Sequence, residues 1–202
     1  MKLYYFPSAC SLASNIALRE AGIEFQLVKF NRHTKKTEDG LDFNEVNPKG
    51  YVPTLALDNG EVLTENIAVL QYIADRNPAA KLAPAAGTME RYRLIEWLAF
   101  ISSEIHKSFS PLFRAEMPEE AKQLFRGNLA NRFDYLQRAL GEKNFLMGDQ
   151  FTIADAYLFT VVSWVSFVNI DLSRWPQLKR YIERVGARPH VIEALKSEGL
   201  VK

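Results

Sequence analysis

Leu3-Tyr4-Tyr5-Phe6-Pro7-Ser8-Ala9-Cys10-Ser11-Leu12-Ala13, followed by Gly22 and then by Phe25-Gln26-Leu27-Val28, is the stretch on which the fold turns. The aromatic residues at 4–6 suit a short buried strand, and Pro7, with no N–H for a ladder, ends it. Leu12, Ala13, Ile16 and Ala17 recur at helical spacing up to Gly22, which caps the helix, and the apolar run from Phe25 reads as a second strand. A strand, a crossover helix and a second strand predict parallel pairing. The chain therefore begins as an α/β unit.

Working outward, residues 31–40 are polar, carry His33, Lys35 and Lys36, and read as a surface loop before a turn that ends at Asn47-Pro48-Lys49-Gly50. Two short strands, 54–57 and 61–63, flank Asp58-Asn59-Gly60, whose Asn and Gly tolerate the positive φ of a hairpin. Thr64 then precedes, and is expected to cap, a helix with Ile67, Leu70 and Ile73 on one face. Residues 79–88, in a Pro- and Ala-rich stretch, read as a linker between a first domain, 1–78, and a second, 89–202. Everything beyond it reads as helix, with Phe125, Leu129, Phe133, Leu136 and Leu140 marking one long amphipathic helix, Leu178, Tyr181, Ile182 and Val185 another, and Pro189 starting the last.

Composition narrows the function. With 202 residues and 48% hydrophobic content the chain can bury a full core, and 25 basic against 24 acidic residues give no bias toward nucleic acid or an anionic membrane. The most apolar stretch, 156–168, is interrupted by Thr160, Ser163 and Ser166 and falls short of the roughly 20 residues of a membrane span, so it reads as a buried helix. A single cysteine leaves no internal disulfide and fits a reducing compartment, and the N-terminal residues lack the pattern of a secretory signal, so a cytoplasmic location is expected. No metal site is expected.

Four places can carry chemistry. Cys10 falls where the first strand meets the first helix, where unpaired N–H groups and the helix dipole lower a thiol's pKa; it is either a reactive thiol or a small packing residue. Val52-Pro53 precedes a strand, where a cis bond would leave the Val52 backbone able to pair with a peptide-like ligand; an ordinary trans turn is the commoner reading. Glu65 and Asn66 open the third helix, where backbone N–H groups suit a carboxylate and Glu65 an ammonium; taken alone, the segment reads more simply as a plain helix start with Thr64 capping and Glu65 in the favourable first turn. Ala99, Ser103, His106 and Ser110 share a small, polar helix face beside Lys107; His106 is either a candidate cation in a catalytic role or, as is commoner for an isolated histidine, structural or exposed. Thr152-Ile153-Ala154-Asp155 is a capping box with a structural role.

Taken together, Ser8-Ala9-Cys10-Ser11-Leu12-Ala13, residues 47–53, Thr64-Glu65-Asn66, Glu96-Trp97-Leu98, Glu104-Ile105-His106-Lys107 and residues 151–157 resemble the bacterial beta class of glutathione transferases over essentially the whole chain. The resemblance implies a thioredoxin-like N-terminal domain, an all-helical C-terminal domain, a cis Val52–Pro53 bond and a homodimer. It implies glutathione as co-substrate, with no permanently bound cofactor, and small hydrophobic electrophiles as its reaction partners. Cys10 would face the glutathione sulfur with His106 nearby, Lys35 would meet the glycyl carboxylate, Val52 would pair with the backbone, and Glu65 and Asn66 would hold the γ-glutamyl end. Ser103, Glu104 and Lys107 are neighbouring candidates, and the chain departs from its relatives at Ala99, where many carry Asn. Two other activities are compatible with the same residues: thiol–disulfide exchange through Cys10, and a noncatalytic ligand-binding or protein-interaction role on the same fold.

Overall fold

The computed structural model describes residues 1–202. It divides into two units, Met1–Ala83 together with Arg188–Lys202, and Pro84–Ala187.

The first unit is built on a five-stranded sheet in the order β3-β2-β1-β4-β5. Its strands are β1 (Lys2–Tyr5), β2 (Gln26–Asn31), β3 (Lys36–Thr37), β4 (Thr54–Ala56) and β5 (Val62–Thr64). β1 and β2 run parallel with Leu3 opposite Leu27, joined by the crossover helix α1 (Ser11–Glu20), and β4 and β5 form the antiparallel hairpin. Leu3, Tyr4 and Tyr5 are all buried, because both faces of this central strand are covered. On one side Tyr4 joins Val28, Phe30, Phe43 and Val52 in a cluster, with Phe43 supplied by the short helix α2 (Phe43–Val46). α1 packs on α3 (Asn66–Arg76) through fully buried residues that include Ile16, Leu70 and Ile73.

Three local readings change. The 31–40 segment is not wholly loop: Asn31 Oδ1 accepts from the His33 and Thr34 N–H groups, reversing the chain so that Lys36–Thr37 pairs back on β2. Thr64 does not cap α3; it ends β5, and the cap position is Glu65 at φ 70°. The last helix, α9 (Pro189–Ser197), packs on α1 in the first unit instead of joining the helical domain. Its anchors are a two-pronged bond from Arg188 to the Glu20 carboxylate, at 2.7 Å on each prong, and the burial of Val191 and Ala194.

The regular elements of the second unit are all helical. α4 (Met89–Phe100) leads into the turn Ile101–His106 and α5 (Lys107–Phe109), and the chain continues as α6 (Glu119–Leu140), α7 (Ile153–Val162) and α8 (Pro176–Gly186). Of the expected stripes, Leu129, Phe133, Leu136 and Leu140 are buried along α6 and Leu178, Tyr181 and Val185 along α8, which packs against it, while Phe125 and Ile182 at their margins are only partly buried. Every residue of α7 is buried. Its start is closed by the capping box, in which the Asp155 carboxylate accepts the Thr152 N–H at 2.8 Å and hydroxyl at 2.9 Å, the Leu146 N–H at 2.8 Å and the Tyr181 hydroxyl at 2.9 Å. Burial raises the Asp155 pKa, and these four bonds act against that rise.

Candidate functional site

In the first unit, β1 delivers the chain into a loop that reaches Cys10 at the N-cap of α1, without a side-chain cap. The thiol is partly exposed and donates to the Val52 carbonyl at 3.4 Å, and the Val52–Pro53 peptide bond is cis. Ser8 takes a left-handed φ of 64° in this loop, and its N–H donates to Glu198 Oε2 at 3.0 Å. The other oxygen of Glu198 accepts from Asn15 Nδ2 at 3.1 Å. Glu198 is only 6% exposed, and burial pushes its pKa up to about 7 against the opposing pull of Asn15, the Ser8 N–H and the Arg19 charge. A carboxylate on the C-terminal tail therefore fixes the loop that presents the thiol.

Nearby in the same unit, Glu65 Oε1 accepts from Lys49 Nζ at 2.6 Å and from the Tyr51 hydroxyl at 2.8 Å, and Lys49 also reaches the Thr64 hydroxyl at 3.0 Å. The bond to Glu65 raises the Lys49 pKa. Asn66, 8% exposed, accepts the Ser14 hydroxyl on its Oδ1 at 3.0 Å, while its Nδ2 is buried without an acceptor. Such a donor costs about 1–3 kcal/mol unless something accepts from it. Lys35 sits in left-handed backbone at φ 58°, with its ammonium 5.7 Å from the centre of the Phe30 ring.

In the second unit, the segment read as regular helix contains a π-helical turn, Ile101–His106, in which the Lys107 N–H donates to the Ser102 carbonyl five residues back. Such turns concentrate at functional sites. The His106 Nδ1 lies 2.7 Å from the Tyr157 hydroxyl, and its ring meets Tyr157 and Trp164 edge-on at 5.9 and 4.9 Å between centres. Phe109 and Phe113 extend this aromatic wall through edge-on contacts with Trp164 at 5.7 Å each, and Phe113 is 49% exposed. The expectation of a cationic His106 is overturned: burial, with the Lys107 charge beside it, lowers its pKa to about 4, so the imidazole is neutral at pH 7. Ser103 donates to the Ala99 carbonyl at 3.0 Å, and Glu104 is held by Arg132.

Several of these participants carried no sequence signal. Glu198 reads as the polar end of a helix and Arg132 as an ordinary member of a helix face, and Tyr157, although it closes the quoted 151–157 motif, carries nothing there that points it at His106. Lys49 and Tyr51 lie inside the quoted 47–53 motif, but nothing in it points them at Glu65.

The chain therefore combines a thioredoxin-like sheet unit bearing a thiol at its first helix with a helical unit bearing an aromatic-walled histidine. The family model "Glutathione S-transferase, N-terminal domain" matches residues 7–76 and "Glutathione S-transferase, C-terminal domain" matches residues 100–189. Glutathione S-transferase GstA of Escherichia coli O157:H7 is 46% identical over 200 residues, covering 99% of this chain and 100% of that one. A bacterial beta class glutathione S-transferase of Sphingomonas chungbukensis matches with a TM-score of 0.96 at 50% identity, covering 100% of both chains. A sphingomonad glutathione S-transferase complexed with glutathione matches with a TM-score of 0.96 at 47% identity, again over 100% of both chains. The chain belongs to the glutathione S-transferase family, and its solved likenesses include the bacterial beta class.

Proposed function

We propose that this glutathione transferase holds glutathione on its first unit, between the Val52 backbone, the Glu65–Asn66 start of α3 and Lys35 with its sulfur at Cys10, and that His106 of the second unit takes part in the reaction, as the family resemblance implies. The observation that carries this reading is the buried Asn66 Nδ2 without an acceptor, at the N-terminus of a helix and next to a carboxylate. The α-carboxylate of a γ-glutamyl group would satisfy that amide and the helix N-terminus together, while its ammonium would meet Glu65. Lys35 supplies the cation for the glycyl carboxylate, Ser103 lies on the turn that carries His106, and Lys107 follows it at the start of α5.

In the main reaction the glutathione thiolate attacks an electrophilic carbon, forming a thioether as a leaving group departs or a double bond accepts the proton. A neutral His106 cannot stabilise the sulfur anion by charge. In the tautomer in which the Tyr157 hydroxyl donates to Nδ1, the Nε2–H is left as a hydrogen-bond donor to that anion. The exposed Phe113 and the adjoining Phe109 and Trp164 offer aromatic surface to small hydrophobic electrophiles. Cys10 adds a second reaction: its thiolate attacks a glutathione mixed disulfide, releases the partner thiol, and is freed when a second glutathione attacks to give glutathione disulfide. Homodimer formation, taken from the family resemblance, would cover the exposed Met89 and Tyr92 of α4.

Calorimetric titration of glutathione into the wild type and Asn66→Leu tests the binding reading. A hydrogen bond to a charged group contributes about 1.5–3 kcal/mol, so the variant should bind roughly ten-fold or more weakly. Equal affinity would overturn the assignment.

A further inference from the structure

The π turn at Ile101–His106 is the one place where the long helical run from Met89 to Phe109 departs from α geometry, and the groups that bind to it act on its irregular part. Ser108 Oγ donates to the Glu104 carbonyl at 2.7 Å, and Ser103 Oγ donates to the Ala99 carbonyl at 3.0 Å, so two main-chain acceptors are held by side chains. From α6, both Nε and Nη2 of Arg132 donate to the single oxygen Glu104 Oε2, at 2.9 and 2.6 Å. A half-exposed ion pair of this kind ordinarily contributes little to stability. Its place on the π turn gives it a different consequence.

A π turn accommodates one extra residue relative to an α turn, and one residue corresponds to about 100° around an α-helix axis. Were the turn to relax to α geometry, His106 would swing away from the Tyr157 hydroxyl and the Trp164 edge. We propose that Arg132, acting through Glu104, is a positioning residue for His106: by pinning Glu104 it keeps the turn in its π form and the imidazole against Tyr157 and Trp164. Ser108 assists by occupying the Glu104 carbonyl. The proposal moves Glu104 from a ligand contact to a brace, and its consequence for turnover rests on the role given to His106 under Proposed function.

The test uses Arg132→Met, with Arg126→Met as control. Arg126 lies on the same helix and pairs with exposed Glu119, away from the π turn. The chain has 3 histidines, at positions 33, 106 and 190, so the His106 imidazole can be followed by NMR titration. In Arg132→Met the His106 pKa should rise from about 4 toward the ordinary range and its ring contact with Trp164 should be lost, with neither change in Arg126→Met. Turnover should fall by about ten-fold or more, as for other small displacements of a reacting group. The exchanged pair Glu104→Arg with Arg132→Glu should restore the His106 titration. If Arg132→Met does not fold, Arg132→Gln replaces it in the same measurements. An unchanged His106 titration, or the same change in the Arg126 control, would overturn the inference. Full activity in His106→Asn would instead overturn the role of His106 and leave the brace itself intact.

Discussion

The Cys10 loop and the His106 turn solve the same problem with opposite chemistry. Each presents a reactive side chain on irregular backbone, left-handed at Ser8 in one and π-helical in the other. Each contains a group that burial pushes toward its neutral form: Glu198 rises to about 7, and His106 falls to about 4. One force, loss of water around a charge, moves an acid up and a base down. The lesson is that these regions differ in what supports them. The thiol loop leans on a carboxylate from the far end of the chain, and the histidine leans on an aromatic wall and an adjacent ion pair.

The largest expected effect breaks the comparison on the thiol side. Cys10→Ala should abolish mixed-disulfide formation with glutathione, read by mass spectrometry, because the chain holds 1 cysteine. Some conjugation should persist, since the glutathione sulfur remains the attacking atom. Retained disulfide exchange would remove Cys10 from the mechanism. The next effect falls on the histidine side: Asp155→Ala leaves the buried donors of Leu146, Thr152 and Tyr181 without their acceptor at the start of the helix that carries Tyr157. A loss of about 3 kcal/mol or more in urea unfolding is expected. A loss under about 1 kcal/mol would mean that water replaces the carboxylate there.

A sharper measurement uses the opposed pKa shifts. Glu198 has a folded pKa of about 7, above the usual carboxylate value, so its stabilising contribution is complete below about pH 4.5 and is lost as the pH rises through 7. His106 has a folded pKa of about 4, below its usual 6.5, so its contribution is present above about pH 6.5 and is lost as the pH falls through 4. Each is worth at most about 3 kcal/mol, and between pH 4.5 and 6.5 the two slopes oppose. Unfolding of His106→Asn should therefore show stability falling with rising pH across that window, and Glu198→Gln should show it climbing. Parallel slopes in the two variants would refute the pairing of opposite shifts.

The two regions also differ in how much of them the sequence discloses. Cys10, Val52-Pro53 and Glu65-Asn66 lie in short motifs whose backbone geometry is local, so a strand end, a proline and a helix start are enough to place them. The strand–helix–strand opening, the hairpin and the stripe of α6 follow from periodicity for the same reason. His106 was legible as a candidate but not as a neutral base, because its charge state depends on burial against Tyr157 and Trp164, which lie more than fifty residues away. The π turn escaped because its residues keep an apolar pattern that suits an α-helix equally well. Glu198 escaped because a glutamate near a chain end looks solvated until its partners Ser8 and Asn15 are seen to be 190 and 183 residues away.

The smallest effect tests the thiol-bearing unit at Glu65. The Lys49 ammonium, 2.6 Å from Glu65 Oε1, stands on the carboxylate that is proposed to receive the ammonium of glutathione. Both side chains are about half exposed, so the pair is screened and weak, and a ligand ammonium can displace it. If Lys49 acts only as this competitor, Lys49→Met should tighten glutathione binding by about two- to five-fold, the range an exposed ion pair can supply. An analogue lacking the γ-glutamyl amine has no ammonium to place on Glu65, and it should bind wild type and variant alike. If Lys49 instead swings to the γ-glutamyl carboxylate, Lys49→Met should weaken both ligands together. Matched calorimetric titrations at fixed ionic strength separate the two outcomes. Weakening of both would transfer the carboxylate contact from Asn66 alone to Asn66 and Lys49 acting jointly, and would make the site more dependent on salt than the buried amide by itself would allow.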